Sequence, residues 1–187
     1  MMRYYIGFLV TFGLLILLVF LLFHGGGSKA NVPTTSAPLY SYANTGAQVR
    51  LTIDGPINAS QNHQQVQITA NQDTVTYDQI QGYDGNVVDQ QQFTNSENAY
   101  SAFLHALEVS GFTEGTNNAA LSDEQGQCPL GDRFTFELIQ NGNDLERFWT
   151  TSCPKTPGNY EGDARLTVTL FQAQVPEYGM LTKNLFL

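Results

Sequence analysis

Apolar and polar side chains alternate along much of the chain from residue 47 onward. In AQVRLTI (47–53), Val49, Leu51 and Ile53 alternate with Gln48, Arg50 and Thr52, the period of a half-buried strand. Asp54-Gly55-Pro56 ends that run. VQITA (66–70) repeats the pattern with Val66, Ile68 and Ala70, and Asn71-Gln72-Asp73 turns the chain. TVTYDQIQGY (74–83) continues with Val75 and Tyr77, after which its phase is unclear. A turn at Asp84-Gly85-Asn86 leads to a short strand near Val87 and Val88.

The period then changes. Ala99, Tyr100, Phe103, Leu104 and Leu107 fall on one face of a helix over 95–110. Thr94-Asn95-Ser96-Glu97 reads as a capping box, with the Thr94 hydroxyl taking an early amide hydrogen. Gly111 ends the helix and Phe112 re-enters the core. Alternation returns in RFTFELIQ (133–140), where Phe134, Phe136 and Leu138 share a face. Asn141-Gly142 marks a hairpin into LERFWTTS (145–152). A three-residue loop sets Glu137 opposite Arg147 and Phe136 opposite Phe148, whereas a two-residue loop opposes Glu137 to Glu146. The first register is expected, because like charges repel across a ladder. After a loop over 154–163, Leu166, Val168 and Leu170 alternate and predict a last long strand. The closing Leu185-Phe186-Leu187 is expected to be tied into the fold. Strands, one helix and strands predict an α+β domain, a mainly antiparallel sheet with a helix on one face.

The start of the chain follows a different rule. Residues 4–23 are twenty apolar positions without a charge. As a helix at 1.5 Å per residue they span about 30 Å, one hydrocarbon thickness. This predicts an N-terminal transmembrane anchor over 1–23, with the lipid bilayer as its partner. Arg3 and the terminal amine put the N-terminus in the cytoplasm and the remainder outside, at the cell membrane as a single-pass protein. The alternative is a cleaved signal peptide, with Ser28-Lys29-Ala30 as a cleavage site. Residues 24–38, rich in Gly, Ser, Thr and Pro, read as a flexible linker to an extracytoplasmic domain over 39–187.

Charge narrows the partners. The formal net charge is −9, which repels phosphate backbones and makes nucleic acid a poor partner. Cys128 and Cys153 flank the predicted hairpin. The hairpin brings Cys153 near Gly131, and a bend at Pro129-Leu130 closes the remaining gap. In an exported domain this pair reads as a structural disulfide. A redox pair would need the C-x-x-C spacing, which is absent.

Candidate chemistry is sparse. His24 lies in the linker, His63 in a Gln-rich turn and His105 mid-helix. His105 shares a helix side with Ser101 and Glu108, yet one helix supplying a whole triad offers no oxyanion hole. Asp123-Glu124 reads as a solvated loop pair, and Asp84-Gly85-Asn86 and Asn141-Gly142-Asn143-Asp144 as turns. Neither turn matches an EF-hand, and no metal ligand set or cofactor motif stands out, so no cofactor is expected. Tyr83, Tyr100, Phe103, Phe134, Phe136, Phe148 and Trp149 read mostly as core. Arg147-Phe148-Trp149 puts bulky groups on both strand faces, which predicts that one ring is exposed and marks a contact surface.

Several short stretches carry a resemblance: Gly55-Pro56-Ile57, Gln81-Gly82-Tyr83, Ala99-Tyr100 with Phe103-Leu104, Gly111-Phe112, Cys128-Pro129, 133–137 and 149–153. With the anchor and the linker, they make the chain resemble uncharacterised single-pass envelope proteins of bacteria over most of 48–178. That resemblance implies a location and no activity. The layout of strands, a helix ending in Gly-Phe, and an Asp132-Arg133-Phe134 strand and hairpin is similar to emfourin-type protease inhibitors, and no inhibitory residue carries over. The expectation is a membrane-anchored, non-enzymatic domain for binding or envelope interaction. A protease inhibitor and a hydrolase of envelope polymers are the alternatives.

Overall fold

Six strands form one antiparallel sheet in the order β4-β3-β2-β1-β5-β6. They are β1 (Gln48–Asp54), β2 (Gln64–Ala70), β3 (Thr74–Gln81), β4 (Asn86–Thr94), β5 (Arg133–Gln140) and β6 (Asn143–Thr151). The computed structural model describes residues 37–156 and 158–187. The anchor expected over 4–23 and the linker up to residue 36 lie outside the described residues. Among the described residues, no helix is long and apolar enough to cross a membrane.

Register turns the alternation into a core. Val49, Leu51 and Ile53 pair with Ala70, Ile68 and Val66 on one side, and with Leu138, Phe136 and Phe134 on the other. Directly opposed residues share a face. All the apolar positions therefore meet under helix α1 (Glu97–Val109), which buries Tyr100, Phe103, Leu104 and Leu107. The α+β architecture, with a helix on an antiparallel sheet, is thus present. The N-cap of α1 is Ser96, which accepts from Ala99 N, and not Thr94. Thr94 pairs with Thr74 as the last residue of β4. Gly111 closes the helix with a φ of 77°, and Phe112 N donates back to Leu107 O at 3.0 Å.

Two elements differ from the expectation. The segment expected as a last strand is helix α2 (Ala164–Gln172). Asp163 caps it by accepting from Leu166 N at 2.9 Å. The Leu166, Val168, Leu170 spacing fits both periods, but Thr167, Phe171 and Val175 at i, i+4 and i+8 are the buried set. The chain continues through the one-turn helix α3 (Tyr178–Leu181). Phe186 N then donates to Gln64 Oε1, and Leu185 and Leu187 pack against the core. β4 is also longer than the Val87-Val88 signal, because its Gln run carries no alternation.

The β5–β6 hairpin reaches the expected register by another route. Asn141 and Gly142 both have positive φ, 53° and 77°, in a two-residue turn that pairs Gln140 with Asn143. A bulge at Leu145 then shifts the ladder by one residue. Glu137 faces Arg147 and Phe136 faces Phe148, as charge and packing require.

Candidate functional site

The polar face of the sheet ends in a cluster around Asp54. Register places Asp54 between Gln65 on β2 and Arg133 on β5. Its Oδ2 accepts from Arg133 Nε at 2.8 Å and from Nη2 at 2.6 Å. Its Oδ1 accepts from Gln65 Nε2 at 2.8 Å and lies 2.8 Å from His63 Nε2. Arg133 Nη2 also donates to Gly55 O at 2.6 Å, and Nη1 to Gln127 O at 3.4 Å. His63 and Arg133 are buried.

Both ring nitrogens of His63 meet acceptors. Nδ1 lies 3.2 Å from Pro56 O, and Nε2 faces the carboxylate. A bare nitrogen lone pair 2.8 Å from a carboxylate oxygen is repulsive, so Nε2 carries a hydrogen and donates it to Asp54. The buried Arg133 and His63 thus share one carboxylate, with Gln65 and three backbone carbonyls as further partners. Such a network satisfies its buried charge and clamps the 55–63 loop to β5.

A cleft of about 440 Å³ opens above this cluster, lined by Asp54, Ile57, Gln65, Tyr83, Glu124, Gln125, Gly126 and Arg133. Tyr83, in the β3–β4 turn, lays one face of its ring on His63 with centroids 4.0 Å apart and planes 14° apart. Its hydroxyl donates to Asn58 O at 2.9 Å and accepts from Asn58 N at 3.1 Å. The residue is 51% exposed. The opposite wall, 124–126, is fixed from two sides. Glu124 Oε1 accepts from Arg147 Nη2 at 2.6 Å, and Cys128 joins Cys153 in a disulfide with Cα atoms 5.6 Å apart. The bend at 128–131 that closes the disulfide is present, with Gly131 N donating to Cys128 O.

The residues singled out from sequence fall in different places. Phe148 and Trp149 are both buried, so neither ring forms the contact surface expected at 147–149. Phe148 faces the core. Trp149 is on the opposite face and is covered by the 117–127 segment, with Nε1 donating to Leu121 O at 2.7 Å. Arg147 is held by Glu124 and Glu137. Glu124 is accordingly not the solvated loop acid expected. Burial pushes the Glu137 carboxyl above its ordinary range, against the opposing pull of Arg50 and Arg147. His105 is exposed and stacks on Tyr40 at 4.2 Å. Tyr100, Phe103 and Phe136 are core, and Phe134 packs against it. Among the described residues, no group of three or more His, Cys, Asp or Glu side chains is arranged to hold a metal.

Sequence reading missed the cluster itself. His63 looked like a loop histidine, and Asp54 and Arg133 are 79 positions apart. One signal was available: Asp54 is in phase with Arg50 and Thr52, and Arg133 with Thr135 and Glu137, all on the polar face. No protein-family model and no curated protein matches the chain.

Proposed function

We propose that this chain is a non-enzymatic binding domain, tethered to a membrane by residues 4–23 and facing an oxidising exterior, with the Tyr83 cleft as its ligand surface. One observation carries the reading: His63, Asp54 and Arg133 beneath the cleft are already engaged, and of the cleft's two carboxylates only Glu124 has an oxygen, Oε2, without a partner. Proton-transfer catalysis needs an imidazole edge or carboxylate oxygen within reach of substrate. Here both nitrogens of His63 and both oxygens of Asp54 are committed to partners inside the protein. They hold the loops, and the loops present a rigid recess with an exposed ring. The Cys128–Cys153 disulfide supports the exterior location, because such bonds persist in oxidising compartments.

Protease shaving of intact cells expressing the full chain tests the topology. Residues 39–187 should be digested, and thiol labelling should find a free sulfur only after reduction. Protection of that segment, or free thiols in the untreated chain, would overturn the tethered exterior reading. A photo-crosslinker placed at Gln125 tests the binding surface: an adduct should form in those cells and be lost on Tyr83→Ala.

A further inference from the structure

We infer that the cleft binds a neutral oligosaccharide of pyranose rings, one ring stacked on the exposed face of Tyr83. The inference rests on the binding reading above and assigns that surface a ligand class. Tyr83 is a fixed platform. His63 supports one face of the ring and Asn58 holds its hydroxyl from two sides, so a ligand meets the other face with little rotamer entropy left to lose. A pyranose presents a C–H face to such a ring and hydroxyls at its edge. Ile57, Gln65 and Gln125 beside Tyr83 supply the matching mixture of apolar surface and amide groups.

Charge selects against the other ligand classes. The Arg133 guanidinium in the lining disfavours a cation. Asp54, Glu124 and a net charge of −9 disfavour an anion. A neutral, hydroxyl-rich ligand meets neither penalty.

The ligand is an oligomer because the surface continues beyond the cleft. Past Tyr83 the chain enters β4, where Val87 and Val88 are exposed and apolar, although Ile80 opposite Val87 is buried. A second sugar ring would rest on that apolar patch.

Isothermal titration of the full chain in nanodiscs with cellotriose and with chitotriose tests this. At least one trisaccharide should bind. Tyr83→Ala should weaken binding about ten-fold, the worth of one stacking contact, while Tyr83→Phe, which keeps the ring and loses only the Asn58 bonds, weakens it less and circular dichroism stays unchanged. No heat from either sugar at about 10 mM, or affinity indifferent to Tyr83→Ala, would overturn the ligand class. If the Gln125 adduct still forms in that case, the binding reading stands and only the sugar falls. If the adduct is also absent, both fall.

Discussion

Over β5 and β6 the polar face of the sheet is closed, while over β2, β3 and β4 it lies largely open, Ile80 being its buried exception. On the closed half, Trp149 sits opposite Thr135 beneath the 117–127 segment and is fully buried. Arg147 is pinned to Glu124 and Arg133 reaches Gln127 O, so side chains of the sheet hold the cover from below. On the open half, side-chain bonds run within the sheet: Gln67 to Thr52, and Gln90 to Asp78. The strand pattern is similar in both halves. A polar face becomes interior only where charged groups and a covalent link hold a loop on it. Asp54 stands on the border, joined to Arg133 on one side and to His63 and Gln65 on the other, and the cleft opens at that border.

The difference can be broken from the closed side first. Trp149→Ala empties a fully buried site and should cost about 3–5 kcal/mol in urea unfolding. Gln67→Ala on the open half should stay within about 0.5 kcal/mol, and equal losses would refute the contrast. The double change Cys128→Ser with Cys153→Ser frees the end of the cover. The chain-entropy cost for a loop of this length is about 3.5 kcal/mol, and Trp149 emission should shift to the red as water enters. An unmoved spectrum would mean the segment holds without its covalent link.

Arg133→Met removes the cation from the border and leaves Asp54 with His63 and Gln65. Asp54 keeps some contact with solvent, so the loss should sit near the low end for a broken buried pair, about 3 kcal/mol, and heteronuclear spectra should report movement at Gly55 and Gln127. The smallest effect concerns Asp132. Burial raises its pKa, Arg133 pulls it down, and Asp54 adds to the rise. An acid with a raised folded pKa favours its protonated form in the native state, so its charge costs stability as pH rises through that folded pKa, and the cost is absent below the unfolded value. Asp132→Asn should therefore raise Tm slightly at pH 7 and converge with the native chain below about pH 4. A parallel offset at both values would contradict it.

Much of the frame was legible along the chain. Alternation marked β1, β2, the first half of β3 and β5, and a change of period marked α1. Charge logic chose the Glu137–Arg147 register even though the loop that achieves it is a two-residue turn plus a bulge at Leu145. Residue 128 was placed beside 153 by the same hairpin. Elsewhere the local signal was ambiguous or silent. Leu166, Val168 and Leu170 suit either period, and the buried spacing of Thr167 and Phe171 distinguishes them only once a core exists to receive it. β4 hides in a run of glutamines. His63 and Trp149 could not be assigned, because their surroundings come from residues far away in sequence.

The amino-acid sequence by itself determined which segments alternate, that a helix follows β4 and stops at Gly111, and which two sulfurs could meet. These depend on neighbours within a few positions, where backbone period and side-chain type act directly. Only the tertiary structure decided which polar side chains are buried and which aromatic ring faces water. Burying His63 and Arg133 is tolerable only beside Asp54, and no local pattern records a partner that register brings in from another strand.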